Sequence, residues 1–238
     1  DISDSVVASP STVPAGDFQE PSPSPIVAED DPGVALETED GSLLAPDFRG
    51  IDGWINTGPF SLSDMRGKVV LLDFWTYTCV NCIRTYPYLR EWHRKYSDLG
   101  LVVVGVHTPE FEFERLAANV EAAAAEHDLV YPIARDNDYE TWRAYSVQAW
   151  PTKFLVDKDG VIRYGHRGEG GYQETEATIR ELLAEAGADV DGVEAGTDPG
   201  PTIDPEAVGS DIDSSLTREL YAGYARSVIG AAAYVINP

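Results

Sequence analysis

The sequence predicts an α/β domain with a central mixed β-sheet flanked by helices. Two continuous apolar runs rich in β-branched residues, Val69–Phe74 and Leu101–Val106, are typical of buried parallel strands. Between them, residues Cys82–Tyr96 carry apolar side chains at helical spacing. Later in the chain, two shorter apolar runs flank Asp157–Gly160, a turn sequence typical of an antiparallel hairpin. A βαβ unit followed by a hairpin gives one sheet with both parallel and antiparallel pairs.

The segment before the first long strand predicts two short strands and a turn. Ile51–Ile55 and Phe60–Leu62 are the predicted strands, and a Gly-Pro pair forms the turn between them. Met65–Lys68, which contains a glycine, is a predicted turn that leads into the first long strand.

The first long helix follows that strand directly. Its apolar stripe consists of Ile83, Tyr86, Leu89, Trp92 and Tyr96. These side chains recur every three or four residues, so they lie on one face of a helix and can pack on the sheet. Pro87 lies inside this stretch, and we expect a kink there because proline removes one backbone hydrogen bond.

The second half of the domain predicts three further helices and the two hairpin strands. The predicted helices are Glu112–His127, Tyr139–Tyr145 and Thr175–Glu185, and the predicted strands are Thr152–Val156 and Val161–Tyr164. The first of these helices has an alanine-rich middle, which favours helix formation. Gly187 follows the last helix and suits its C-terminal cap.

The acidic residues are concentrated outside the predicted domain. The formal net charge is −24, yet residues 1–40 hold ten acids and no base, and residues 187–213 hold eight acids and no base. Residues 1–40 are also rich in proline and serine, and we expect a disordered linker because they bury too little apolar surface to offset ordering entropy. Residues 187–213 form a second linker, rich in glycine and proline. No basic patch exists to meet phosphates, which argues against nucleic-acid binding.

The two cysteines of the chain, Cys79 and Cys82, form one CxxC motif directly after the first long strand. At the start of a helix, backbone N–H groups favour the thiolate over the thiol, so this position suits a dithiol/disulfide redox pair. A structural zinc site would need about four ligands, and the four histidines of the chain are not paired at ligand spacing. A purely structural disulfide across two residues would restrict the unfolded chain little.

Four separated motifs resemble a known family. Residues 73–82 (DFWTYTCVNC) are similar to the thioredoxin superfamily and, more narrowly, to the TlpA-like thioredoxin domain of DipZ-type proteins. The other three motifs are Val106–Phe111, Trp150–Lys153, and Gly168–Tyr172 leading into Glu174–Glu176. The resemblance covers residues 41–186 and implies a thioredoxin-like fold. Residues 109–135 would then be the βα insertion of TlpA-like and peroxiredoxin-like members.

The resemblance implies roles for three residues. Cys79 would attack a partner disulfide as a thiolate, or receive attack when it is oxidised. Cys82, one turn later and more buried, would resolve the mixed disulfide, so we expect a redox-active Cys79–Cys82 disulfide and no other cofactor or metal. Asp73 occupies the family's position for the proton acceptor of Cys82, with a pKa raised by burial. The alternative for Asp73 is a strand-end aspartate that faces solvent.

The same resemblance implies a client-binding surface around Cys79. Pro151 would follow a cis peptide bond and face the disulfide, and the alternative is an ordinary trans proline that opens a strand. The backbone of Trp150 would then be available to an extended client strand. Tyr77 is predicted to lie at the rim of the site. Glu110 is predicted to line the cleft, with an exposed acid at a helix start as the equal alternative.

The predicted function is that of an extracytoplasmic thiol–disulfide oxidoreductase. DipZ-type relatives imply a reductase of client proteins or apocytochromes, supplied with electrons by a CcdA-like membrane carrier in cytochrome c biogenesis. Residues 1–40 would then be a tether, and membrane association would come only through a segment upstream of Asp1, since no stretch approaches the ~20 apolar residues of a spanning helix. Residues 214–238 would begin a truncated C-terminal module.

Two other functions remain open at this point. Thr76 and Cys79 have the Thr-x-x-Cys spacing of peroxiredoxins, although Leu72 stands where their preceding proline would be and a resolving cysteine three residues on is unusual for them. Peroxide turnover would favour that class. The non-enzymatic alternative is a module that binds copper or a protein partner, which stoichiometric metal after dialysis would favour.

Overall fold

The computed structural model describes residues 41–196, so the predictions for residues 1–40, 197–213 and 214–238 lie outside the described residues. This part of the chain contains six strands and four α-helices. The strands are β1 (Gly53–Ile55), β2 (Val69–Trp75), β3 (Leu101–His107), β4 (Ile133–Arg135), β5 (Thr152–Val156) and β6 (Ile162–Arg167). The helices are α1 (Val80–Tyr96), α2 (Ala117–Glu126), α3 (Glu140–Ala144) and α4 (Tyr172–Glu185).

The strands form one mixed sheet in the order β1-β4-β3-β2-β5-β6. The pairs β2–β3 and β3–β4 are parallel, whereas β1–β4, β2–β5 and β5–β6 are antiparallel. The predicted βαβ unit and closing hairpin are therefore both present. Strand β2 lies in the middle of the sheet, so its carboxyl end opens between β3 and β5.

Every residue of β2 is buried, which explains its continuous apolar run. Successive side chains of a strand point to opposite faces of the sheet. Leu71 and Trp75 belong to a core cluster with Trp92 of α1, whereas Leu72 and Phe74 belong to a second cluster on the other face. Asp73 is the single charged residue of β2. Its side chain lies on the same face of the sheet as Leu71 and Trp75, the face that packs against α1.

The helix predicted over Glu112–His127 is wrong as one element. Residues Glu112–Arg115 form a short 3₁₀ helix, and α2 begins only at Ala117. Leu116 between them has extended backbone angles (φ −73°, ψ 120°), which breaks the helical hydrogen-bond pattern. The cause is Glu114, whose carboxylate is buried and accepts hydrogen bonds from backbone N–H groups of the preceding residues. A tertiary anchor thus overrides the local helix propensity of this segment.

The strand predicted over Phe60–Leu62 is also wrong. Leu62–Met65 form a 3₁₀ helix, because the Ser61 hydroxyl accepts from the Asp64 N–H while the Asp64 carboxylate accepts from the Ser61 N–H. The short strand β4, which the sequence did not predict, lies between β1 and β3. Its three residues are too few to show a period.

Residues 187–196 continue from α4 and lie against the domain. Gly187 has the left-handed backbone (φ 92°) expected of a helix C-terminal cap, and its N–H donates to the Ala184 carbonyl. The Arg180 guanidinium donates to the carbonyls of Val190 and Val193 at 2.9 and 2.7 Å.

None of the helices within residues 41–196 has the length and apolar character needed to cross a membrane.

Candidate active site

Cys79 lies at the N-terminus of α1, in the loop that leaves the carboxyl end of β2. It is the N-cap residue, with extended backbone angles (φ −73°, ψ 111°), and its sulfur accepts a hydrogen bond from the Cys82 N–H at 3.4 Å. Its side chain is partly exposed. The helix N-terminus stabilises negative charge on this sulfur, so Cys79 is placed to react as a thiolate with an incoming sulfur.

Cys82 lies one turn into α1 and differs from Cys79 in its environment. It is fully buried. Burial raises the pKa of the Cys82 thiol well above its usual value, and the neighbouring Cys79 and the carboxylate of Asp73 raise it further. Cys82 therefore stays protonated at neutral pH unless a base removes its proton. The two cysteines are unequal in exposure and acidity.

Asp73 is a buried carboxyl group in the middle of the sheet, so the alternative of a solvent-facing aspartate is wrong. It pairs in register with Lys153 of the antiparallel strand β5, and the Lys153 Nζ lies 3.7 Å from the Asp73 Oδ1. Both side chains are essentially inaccessible to solvent. Burial raises the pKa of Asp73 to about 6, against the opposing effect of the positive charge on Lys153. Asp73 can thus exchange a proton near neutral pH.

The Asp73–Lys153 pair is not closed by hydrogen bonds. The 3.7 Å separation is an ion-pair distance but longer than a hydrogen bond, and within the described residues neither Asp73 oxygen nor the Lys153 Nζ has a hydrogen-bond partner. The Lys153 ammonium also lies 5.9 Å from the centroid of the Tyr172 ring. Buried polar atoms without a protein partner are rare in folded proteins, so each of them calls for an explanation. The carboxylate of Asp73 is close enough to Cys82 to raise the pKa of its thiol.

The peptide bond between Trp150 and Pro151 is cis, as the resemblance implied. Thr152, the next residue, pairs with Phe74 of β2, so Pro151 lies beside the end of β2 from which the cysteine loop departs. The Trp150 ring packs against Trp142 of α3 at 4.5 Å between centroids. The backbone thus brings this loop to the same edge of the sheet as Cys79.

Glu114 is a part of the site that sequence reasoning missed. Its carboxylate is fully buried and accepts from the Thr78 hydroxyl at 2.5 Å and from the N–H groups of Glu110 and Phe111 at 2.5 and 2.8 Å. Burial alone would raise the pKa of Glu114, but these hydrogen bonds lower it below its usual value, beginning with that from Thr78. Because Thr78 precedes Cys79, an ionised Glu114 ties the insertion segment to the cysteine loop.

Glu110 reaches this region through its backbone. Its N–H donates to Glu114, and its side chain is partly buried. The role predicted for the Glu110 side chain in lining the cleft stays a prediction.

Tyr77 packs on a buried histidine next to the cysteine loop. Its ring is stacked on His107 with centroids 5.7 Å apart and an interplanar angle of 17°. Its hydroxyl donates to the Phe113 carbonyl at 3.3 Å. Burial lowers the pKa of His107 to about 4, so this imidazole is neutral at physiological pH. His107 supports the rim and carries no charge there.

Replacing Glu114 with glutamine should destabilise the protein by about 2 to 3 kcal/mol. The glutamine amide keeps one acceptor oxygen, but its NH₂ group is a donor. It would face a site that already contains three donors, the Thr78 hydroxyl and the N–H groups of Glu110 and Phe111. The lowered pKa of Glu114 means that its stabilisation is present above its usual pKa of 4.5 and is lost as pH falls through the folded-state value. Urea unfolding at several pH values measures both effects.

The matched control for that variant is Glu112→Gln, because the Glu112 side chain is 91% exposed and lies two residues away. We expect this control to change the free energy of unfolding by less than about 0.5 kcal/mol. Equal effects of the two substitutions would contradict the anchoring role of Glu114.

Within residues 41–196, no group of three or more histidine, cysteine or acidic side chains is arranged to hold a metal ion.

Comparison with known proteins agrees with this geometry. The sequence profile of the AhpC/TSA family matches residues 43–165, which is more than half of the chain. The chain belongs to the AhpC/TSA family. The thiol–disulfide oxidoreductase YkuV of Bacillus subtilis is 32% identical over 141 residues, which cover 59% of this chain and 94% of that protein. The chain is therefore a member of the thiol–disulfide oxidoreductases.

A solved structure and a longer relative complete the comparison. The crystal structure of a thiol:disulfide interchange protein, DsbE, from Chlorobium tepidum superimposes with a TM-score of 0.52 at 31% identity, over 61% of this chain and 96% of that one. This match confirms the predicted thioredoxin-like fold. DipZ of Mycobacterium tuberculosis is 43% identical over 187 residues, 77% of this chain, which confirms the resemblance to DipZ-type proteins. The aligned part spans about a quarter (26%) of DipZ.

Proposed function

We propose that this domain reduces disulfides in client proteins by thiol–disulfide exchange through Cys79 and Cys82. The observation that carries the proposal is the asymmetry of the pair. Cys79 is partly exposed at a helix N-terminus, whereas Cys82 is buried next to a carboxyl group whose pKa is raised to about 6. A nucleophile must meet the client, and a resolving thiol must be protected from it until a base removes its proton.

The first step uses Cys79 alone. Its thiolate attacks one sulfur of the client disulfide, a bond forms between the Cys79 sulfur and that sulfur, and the second client sulfur leaves as a thiolate that takes a proton from water. The Cys82 N–H, which donates to the Cys79 sulfur, stabilises the attacking thiolate.

The second step uses Cys82 and Asp73. Above pH 6 the Asp73 carboxylate is ionised and takes the proton of the Cys82 thiol. The Cys82 thiolate then attacks the Cys79 sulfur, the bond between Cys79 and the client breaks, and the client sulfur leaves as a thiolate that takes a proton from water. Two electrons have then passed from the dithiol to the client, and the protein holds a Cys79–Cys82 disulfide. The positive charge of Lys153 stabilises ionised Asp73 before the transfer.

The working cycle requires a donor of two electrons to reduce the Cys79–Cys82 disulfide again. The resemblance to DipZ-type proteins supports a CcdA-like membrane carrier in this role and supports work outside the cytoplasm, with membrane association through a further segment of the full protein. Clients would be proteins with accessible disulfides, apocytochromes among them.

Turnover of two substrates tests the proposed function. With dithiothreitol as electron donor, the full chain should reduce a peptide that contains one disulfide, and hydrogen peroxide should be consumed no faster than by dithiothreitol alone. Peroxide turnover that exceeds disulfide turnover would instead favour the peroxidase alternative. The peroxidase alternative depends on the threonine of the Thr-x-x-Cys spacing, Thr76. That residue is fully buried, and its hydroxyl lies 3.4 Å from the His107 Nε2.

A further inference from the structure

Four exposed apolar side chains are concentrated around the cysteine loop. Among residues 41–196, six large apolar side chains are exposed: Leu43, Val80, Phe111, Phe113, Leu116 and Val130. Val80 follows Cys79 directly, and three others lie within the six-residue segment 111–116. Large apolar side chains gathered in one place on the surface mark interaction sites.

Two of these side chains form a continuous surface with Tyr77, which we call the aromatic shelf (Tyr77, Phe111 and Phe113). The rings of Phe111 and Phe113 are stacked, with centroids 5.5 Å apart and an interplanar angle of 5°. The ring of Phe113 contacts Tyr77 at 6.3 Å, and Tyr77 stands two residues before Cys79. Both phenylalanine side chains are half exposed.

The aromatic shelf is held in a fixed position relative to the nucleophile. The Phe113 carbonyl accepts hydrogen bonds from the Tyr77 hydroxyl at 3.3 Å and from the Asn119 amide at 2.8 Å. Glu114 binds Thr78 on one side and the N–H of Phe111 on the other. A surface whose aromatic side chains are already ordered loses little conformational entropy when a partner binds.

We propose that the aromatic shelf binds the client polypeptide next to its reacting cysteine, in an extended segment that carries an aromatic or large aliphatic side chain. This inference rests on the proposed function and names the substrate class of the same site. When a client sulfur meets Cys79, the chain on either side of it must cross the surface around the cysteine loop. About three extended residues of a client span ~10 Å, and Tyr77 of the shelf stands only two residues before Cys79.

Charge at the shelf restricts the client further. Glu110 and Glu112 flank Phe111, and the Glu112 side chain is 91% exposed, with Arg115 as its ion-pair partner. Like charges facing each other oppose association, so the preferred client segment is neutral or basic.

The test compares two peptide disulfides that differ only in the third residue from each cysteine, phenylalanine in one and serine in the other. The full chain, with dithiothreitol as donor, should have a kcat/KM at least about tenfold higher for the phenylalanine peptide, the effect of burying part of one aromatic side chain. In the variant Phe111→Ser/Phe113→Ser this preference should fall to nearly one. The single variant Phe111→Ser, which leaves the contacts of Tyr77 intact, should reduce it in part.

Val130→Ser is the matched control, because Val130 is 66% exposed and precedes β4, at the end of the sheet opposite Cys79. We expect the control to keep the full preference. A preference that survives in both shelf variants, or that is absent from the wild type, would overturn the shelf assignment.

A small non-peptide disulfide, 5,5′-dithiobis(2-nitrobenzoate), separates the two proposals when it is mixed with the pre-reduced chain after dithiothreitol has been removed. If the wild type reduces this compound and reduces the two peptides at equal rates, the proposed function holds but the assignment of the shelf to clients is overturned. A wild type that reduces none of the three overturns both. If the wild type self-associates in sedimentation and the double shelf variant does not, a second copy of the chain occupies the shelf, which would also overturn the assignment to clients.

Discussion

In a single turnover of the reduced protein without free dithiothreitol, the variant Cys82→Ser should lose client reduction by at least about a thousandfold and should accumulate a covalent complex with the client. Cys79 remains at the helix N-terminus and can still attack, but no second thiol is available to release the product. Non-reducing electrophoresis and mass spectrometry should therefore show one client molecule bound through Cys79. Addition of dithiothreitol should release it.

The matched variant Cys79→Ser distinguishes attack from resolution. Because Cys82 is fully buried and its pKa is raised well above the usual value, it cannot replace Cys79 as the nucleophile. We expect the same loss of turnover but no covalent complex. A complex formed through Cys82 in this variant would reverse the assigned roles.

Replacing Asp73 with asparagine should slow release of the client from the mixed disulfide by about a hundredfold at pH 7. The amide cannot accept the proton of Cys82, whereas the first attack by Cys79 does not need Asp73. In the wild type, the rate of release should rise with pH through about 6, where Asp73 loses its proton. That rise should be absent from the variant, and rapid mixing with acid quench measures it.

Two controls attribute the inflection near pH 6 to Asp73. Asp136 is a second buried carboxyl group whose pKa is raised to about 6 by burial, but it accepts from the N–H groups of Thr141 and Trp142 at the start of α3. The variant Asp136→Asn should keep the inflection. Lys153→Met removes the positive charge that lowers the pKa of Asp73, so the inflection should move above pH 6. An inflection that disappears in Asp136→Asn would contradict the role of Asp73.

The parts of the fold that depend on local pattern could be predicted from the sequence. Continuous apolar runs predicted β2 and β3 correctly. The runs are continuous because both strands are buried on both faces of the sheet. The stripe of apolar residues gave α1, which runs through Pro87 as one helix. The turn sequence at Asp157–Gly160 gave the β5–β6 hairpin, although β6 continues to Arg167.

The parts that depend on distant contacts could not be predicted. Glu114 has the spacing of an exposed helical acid, and only the contact with Thr78, 36 residues away, makes it a buried anchor. The sequence predicts only that Lys153 lies in a strand. The register between β2 and β5 is what places it beside Asp73. The CxxC motif identified the reacting atoms, but the groups that support them come from separate elements.

The reduction potential of the Cys79–Cys82 couple tests the proposed reductase role most directly. The full chain is equilibrated against graded glutathione and dithiothreitol buffers, and the fraction of disulfide is measured after acid quench and alkylation. A client reductase should show a reversible two-electron couple near or below about −270 mV, the range of a dithiol that gives up electrons readily. A potential near about −120 mV would make the domain a disulfide donor, and the absence of any reversible couple would contradict the redox role of the two cysteines.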